Sequence, residues 1–399
     1  MGSSKRNNDH KSLYIDTEAL STLALVQAGL ISPVDKLMNK EEAKEVDETK
    51  FYKGVPFPFA FVLAPKGEKN HEVLQNLKQG DLVDLINEGK KVGELTVDET
   101  FPIDPIQRLQ NIYGTSDPSH PGVKNTTVRL GTIAVSGEYT VSYPLIEDNI
   151  KRIKHMITKT GAKFVSSMML AANPLNRAHE RMIRQAISDS DLLVVFLRKP
   201  FTTGGLRYDI RHNALSTFID NFIPRNKVLI IPFENSYIFA GFNELILDAI
   251  LAKNYGCHQL VVGKNHGGLG LYYDKNRLNS VFDHCKNIEI DIKTVDEYVY
   301  CDTCKTLVST QTCPHGQHHH VHYHSESIMK LIQSGVIPPS ILVRKEVSAN
   351  ILASLFPDRF KNLQEMHYSL MPGSGLLEQQ SEEQFYLKLI ELYQTSSLT

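Results

Sequence analysis

The sequence predicts an α/β protein. A strand-rich N-terminal domain comes first, then a parallel sheet wound with helices, then a small helical C-terminal domain. Three observations carry this. At Phe164 the pattern changes from short strands broken by Gly, Pro and Asp to apolar runs alternating with helical segments. The runs Phe164–Ala172, Asp191–Leu197, Lys227–Phe233 and Gln259–Gly263 are nearly continuous and of strand length, as strands covered on both faces require. After the first run, Leu175, Ala178, Met182, Ile183, Ala186 and Ile187 recur at three- and four-residue steps, one buried helix face. The expected domains are 1–163, 164–325 and 326–399.

In chain order, Asn39–Lys50 is charge-dense and reads as a solvated helix or loop, between a polar start and the first strands. Pro56–Ala64, Gly80–Ile86, Lys91–Val97, Thr126–Val135 and Tyr139–Val141 have strand composition and suggest a small barrel or sandwich. Glu147–Thr160 reads as an amphipathic helix leading into the second domain. Asp209–Ile223 and Phe242–Tyr255 are the further helices between buried strands. At 399 residues, 41% hydrophobic, 22% charged and net charge −2, the chain is an ordinary globular one. This balance argues against a general nucleic-acid or membrane-surface partner. Its apolar runs are too short to span a bilayer, and no secretory signal is expected, so the cytoplasm is the expected compartment.

Two strand ends carry the candidate chemistry. The run from Phe164 breaks at Asn173-Pro174 and a helix follows, which would aim free backbone N–H groups at an anion. Asn176 and His179 share the first helical turn, and His179 is placed to donate to a phosphate oxygen. Lys199, Arg207 and Arg211 follow the second buried strand, where a basic residue meets an anion. The strand at Gln259 runs into Gly263-Lys264-Asn265-His266-Gly267-Gly268-Leu269-Gly270, whose glycines let backbone approach a ligand. Ligands of such sheets sit outside the carboxyl ends of the strands, so both turns should face one cleft. Further on, Cys301, Cys304, Cys313 and His318 form C-x2-C-x8-C-x4-H, three thiolates and an imidazole suited to structural Zn²⁺. His315 or His319 is the alternative fourth ligand, and Cys257 and Cys285 read as small buried hydrophobes.

These blocks resemble those of the ATP sulfurylase (sulfate adenylyltransferase) family over nearly the whole chain. Asn173–Glu180 is similar to that family's Q-x-R-N-P-x-H-x-x-H-E block, and Gly263–Gly270 to its G-R-D-H-A-G-x-G block. Lys253–Cys257, Tyr113–Val123, Ile31-Ser32-Pro33, Thr312–His315, Ile337-Pro338-Pro339 and Arg344–Val347 continue the likeness in the same order. The resemblance implies a PUA-like N-terminal β-barrel, a Rossmann-like nucleotidyltransferase domain and a small C-terminal domain, in a homodimer with no fused kinase. It also implies the substrates, MgATP and sulfate, joined to give adenosine 5′-phosphosulfate and pyrophosphate. On that pattern Asn176 and His179 would contact phosphates, and Lys264 and His266 would offset charge. Asn173, Gly263, Asn265, Gly267 and Gly268 would cradle the nucleotide, and Lys199 or Arg207 would take a sulfate contact. The chain also departs from the pattern. Leu170 and Ala172 stand for the family's Gln and Arg, Asn176 for its first His, and Lys264-Asn265 for Arg-Asp. These losses make the alternative expectation a relative that binds nucleotide but is weak, inactive or uses another acceptor.

Overall fold

The computed structural model describes residues 11–199, 205–234, 243–263, 286–321, 325–371 and 379–394. The chain forms two compact units, one of residues 1–161 with 234–293, the other of 162–233 with 294–399. This partition groups 326–399 with the βα repeats, which the sequence had set apart as separate domains.

The first unit is built on a five-stranded sheet in the order Lys11–Tyr14, Leu82–Asn87, Lys90–Pro102, Leu130–Val141, Leu63–Pro65. Its first pair is parallel and the rest antiparallel. A two-residue turn, Glu88-Gly89, with φ of 48° and 76°, joins the second and third strands, as a tight hairpin demands. Gly137 sits at φ 151° opposite a bulge, where a Cβ would come within 2.0 Å of the Thr96 carbonyl, so only glycine fits. Thr126–Val135 and Tyr139–Val141, expected as separate strands, merge into one strand, Leu130–Val141, with Thr126 and Thr127 ending a helix instead, while Phe57–Val62 is buried without regular strand geometry. The charge-dense piece is a helix, Lys40–Thr49, closed by a capping box between Asn39 and Glu42. The helix Glu244–Asn254 and the strand Gln259–Gly263 also lie in this unit.

The second unit opens with β1 (Val165–Leu170), α1 (Arg177–Ser188), β2 (Leu192–Arg198), α2 (Tyr208–Phe222) and β3 (Val228–Phe233). β1, β2 and β3 pair in parallel with β2 in the middle, and Leu192–Leu197 has no exposed surface. A strand covered on both faces has no polar side to present, hence the unbroken apolar run. Asp191 starts β2 by accepting the N–H groups of Lys163 and Phe164 at 2.9 Å each. Three short antiparallel strands follow, β4 (Tyr298–Cys301), β5 (Thr306–Ser309) and β6 (His320–Val321), in the order β5-β4-β6. Among the described residues, four helices complete the unit: Ser325–Gln333, α3 (Lys345–Leu355), Leu363–Leu370 and Glu382–Gln394. No helix among the described residues is long and apolar enough to cross a membrane.

Candidate active site and metal centre

The turn between β1 and α1 is where the sequence placed its first site. Asn176 is the N-cap of α1 and His179 its third residue. Asn176 Oδ1 accepts the His179 N–H at 3.1 Å, and His179 Nδ1 accepts the Asn176 N–H at 3.2 Å. This is a capping box with histidine in the place of the usual Glu or Gln. A backbone N–H can only donate, so Nδ1 must be the bare nitrogen, and the neutral ring carries its proton on Nε2. His179 is half-buried by surface area, yet enough protein surrounds the ring that burial pushes its pKa down to about 4. At neutral pH it is therefore an uncharged Nε2–H donor.

The expectation of free N–H groups at this helix start needs correction. Of the four orphan donors there, Asn176 and His179 satisfy each other, and Arg177 donates to the Leu342 carbonyl at 2.8 Å. Asn173 is also committed. Its Oδ1 accepts the Leu206 N–H at 2.8 Å, and its amide lies against Gly205, where a Cβ would meet Nδ2 at 2.6 Å. It ties the end of β1 to the segment after β2, and the helix cap is Asn176 instead.

The residues that replace the expected Gln and Arg are both apolar and enclosed: Leu170 ends β1, and Ala172 is buried at φ 50°, an unusual backbone for a residue with a Cβ. Positive charge reaches this place from behind. Arg211, on α2, is 1% exposed and donates Nη1 to the carbonyls of Ala171 (2.5 Å) and Arg198 (2.6 Å) and Nε to that of Leu206 (3.0 Å). Burial lowers its pKa, and its Nη2 has no partner among the described residues. Lys199 continues the sheet through its N–H to the Phe233 carbonyl at 3.0 Å. Arg207 stands exposed beside α2 and pairs with Asp209 at 2.9 Å, so its guanidinium is already engaged. Gly263 ends its strand in the first unit; Lys264, Asn265, His266, Gly267 and Gly268, with Cys285, lie outside the described residues.

One group near the turn had no assignment from sequence. Glu180, 4% exposed, accepts from Arg344 Nη2 at 2.7 Å and Nε at 3.1 Å, and from Arg177 Nη1 at 3.3 Å. Arg344 also lies over the Phe222 ring at 3.7 Å, and Arg177 Nε reaches the Ser340 carbonyl at 3.1 Å. These bonds clamp the first turn of α1 to the segment before α3. Glu180 and Arg344 both fall in blocks that resemble the family's, but pairing across 164 positions is invisible in one sequence.

The thiols assemble as expected, and the fourth ligand changes. Cys301, Cys304, Cys313 and His315 bring one donor atom each within 4.8 Å of one another. His315 Nδ1 is 3.4, 3.2 and 3.5 Å from the sulfurs of Cys301, Cys304 and Cys313, and Cys304 and Cys313 are 3.9 Å apart. A tetrahedral ion with Zn–S of about 2.3 Å and Zn–N of about 2.0 Å sets edges of about 3.8 Å (S···S) and about 3.5 Å (S···N), so the four donors fit one metal ion. His318 is displaced from this role: it is exposed and its ring packs 4.1 Å from that of His319, which pairs with Asp302 at 2.7 Å.

Comparison with known proteins gives two family matches, "ATP-sulfurylase" over residues 147–354 and "PUA-like domain" over 2–143. A sulfate adenylyltransferase of Chloroflexus aurantiacus is 28% identical over 364 residues, covering 88% of this chain and 92% of that one. One from Psychrobacter sp. is 28% identical over 341 residues, covering 82% and 80%. A solved structure described as a hexameric APS kinase from Thiobacillus denitrificans superposes with TM-score 0.63 at 17% identity and covers 86% of this chain, which spans 62% of that chain's length. At that identity the likeness speaks for the fold alone.

Proposed function

The chain belongs to the ATP-sulfurylase family, and we propose that it is a sulfate adenylyltransferase. In this reading a sulfate oxygen attacks the α-phosphorus of MgATP, the bond to the bridging oxygen of the β-phosphate breaks, and adenosine 5′-phosphosulfate and pyrophosphate leave. The observation that carries it is His179, held by Asn176 with its proton on Nε2 at the end of β1. Such a fixed neutral donor stabilises charge that grows on a phosphate oxygen without reorganising, and removing one costs about a hundredfold or more in kcat. Arg211 adds positive potential behind the ends of β1 and β2, where ligands of parallel sheets sit. The Nδ2 of Asn176, Lys199 and, from the glycine-rich loop, Lys264 and His266 are the further groups we assign to phosphate and sulfate. For the metal centre we assign Zn²⁺, held by Cys301, Cys304, Cys313 and His315. Three thiolates and an imidazole close the tetrahedron, so the ion's role is structural.

A second reading is favoured by one observation: Leu170 and Ala172, where the family pattern has Gln and Arg, are buried and apolar. A pocket so depleted of donors suits nucleotide binding with slow turnover or a different acceptor. Pyrophosphate release from MgATP, with and without sulfate, in wild type and His179→Ala, separates the two. Sulfate-dependent release that falls about a hundredfold in the variant is the expected result. No sulfate-dependent release from folded, metal-replete protein overturns the first reading, and product identification after an acceptor screen then decides the second.

A further inference from the structure

A cavity of about 380 Å³ lies on the flank of α1, beginning at its first turn, and four arginines line it. Arg177, Arg181 and Arg184 recur at four and three positions along α1, which puts them on one face, and Arg344 reaches in from the start of α3. Glu180 is the only carboxylate among the described residues that line it. It satisfies part of two forks, Arg344 and Arg177. Arg184 gives its Nη2 to a neutral acceptor, the Phe222 carbonyl, at 2.7 Å. Arg181 has no hydrogen bond or ion pair among the described residues, and Arg344 Nη1 and Arg177 Nη2 have no protein acceptor there.

Four cations against one anion leave the cavity strongly positive, with donors unclaimed and pointing from fixed side chains. Arg344 is locked by its bidentate carboxylate and by the Phe222 ring, and Arg177 by the Ser340 carbonyl. Pre-organised guanidinium forks match the tetrahedral oxyanion geometry of phosphate and sulfate, which a lysine's point charge does not. Thr306 adds an unclaimed hydroxyl, and Leu307 and Ile341 add an apolar wall. The volume falls at the lower end of the about 300–1,000 Å³ typical of small-molecule sites.

We propose that this cavity is a second oxyanion site, taking a phosphate or sulfate group, free or carried on a small organic ester. It uses none of the residues assigned to catalysis and stands whether or not the proposed reaction does. Its ligand would share Arg344 and Arg177 with Glu180, the neighbour of His179, so occupancy also bears on the α1 turn.

The test is calorimetric titration of the full-length, metal-replete protein with inorganic phosphate, sulfate and adenosine 5′-monophosphate, against chloride at equal ionic strength. It is run on wild type, Arg181→Gln, the double variant Arg181→Gln/Arg184→Gln, and His179→Ala. Arg181 and Arg184 are exposed, and circular dichroism checks that the variants fold. The expected result is oxyanion binding that weakens at least tenfold in the double variant, survives in His179→Ala, and leaves nucleotide turnover within twofold. Tighter binding of the nucleotide assigns the ester; binding of the inorganic ions alone assigns the free ion. Equal affinity in wild type and double variant, or no binding beyond the chloride control, overturns the proposal.

Discussion

His179 makes the sharpest physical prediction because its ring is held in one protonation state. Its ordinary pKa is 6.5, and burial pushes it down to about 4 in the folded chain. Between those values the unfolded chain binds a proton that the folded one does not, so stability must rise with pH. The contribution is complete above about pH 6.5 and is lost as pH falls toward 4. At about 1.4 kcal/mol per unit the shift is worth at most about 3.4 kcal/mol, and partial exposure reduces it to about 2–3 kcal/mol. Protonation also puts a hydrogen on Nδ1 facing the Asn176 N–H, donor against donor. His179→Gln keeps the reach and removes the titration. The assay is urea unfolding followed by tyrosine fluorescence and circular dichroism from pH 7.5 to 4, with the stability difference between wild type and variant plotted against pH. That difference should fall by about 2–3 kcal/mol across the range. Nitrogen NMR of labelled histidine reads the same thing directly, with His179 expected as the Nε2–H tautomer at neutral pH and charging only as pH approaches 4. A flat difference curve, an Nδ1–H tautomer, or a ring titrating near its ordinary value would refute the reasoning.

Two more outcomes follow from the surroundings of α1. Glu180→Ala leaves the half-buried guanidinium groups of Arg344 and Arg177 without their shared carboxylate, which should cost about 3 kcal/mol and lower the melting temperature by roughly 10 °C, whereas replacing all three with apolar residues of similar volume should cost less. The metal centre discriminates between its histidines: His315→Ala should lower bound metal, measured by elemental analysis after dialysis, while His318→Ala should leave it at one ion per chain, and chelation should loosen the β4–β6 hairpin in hydrogen exchange.

How far the sequence was legible depends on the range of the interaction involved. β2 was legible because a strand covered on both faces has to be apolar throughout, and Leu192–Leu197 is. The pairing of Asn176 with His179 was legible because three residues in a helix are neighbours. What could not be read was which of two asparagines caps the helix. Asn173, before Pro174, fits a turn or an N-cap by sequence, but its amide is drawn to Leu206 and Gly205 from the next βα unit. The fourth metal ligand stayed open for a related reason. His315, His318 and His319 all follow Cys313 at workable spacing, and it is the folded chain that brings His315 Nδ1 to the three sulfurs. The Arg211 clamp was noted only as a basic residue after a strand. Its meaning depends on two strand ends meeting, since its acceptors are carbonyls, which no side-chain pattern reveals.

The placement of charge bears on what kind of catalyst this chain can be. A cation bound to three carbonyls, as Arg211 is, cannot advance toward a phosphate as negative charge develops on it. Its field acts on bound ATP and on the transition state nearly alike, and uniform binding of that kind lowers KM without raising kcat. On the proposed reading, an Arg at the place of Ala172 would instead touch the reacting groups, in bonds that strengthen as charge grows. The substitution should therefore fall on turnover more than on affinity, and only the neutral Nε2–H of His179 remains on α1 as a donor aimed from a fixed ring. This is why the two readings of the site part on kcat and the acceptor, and agree on nucleotide binding.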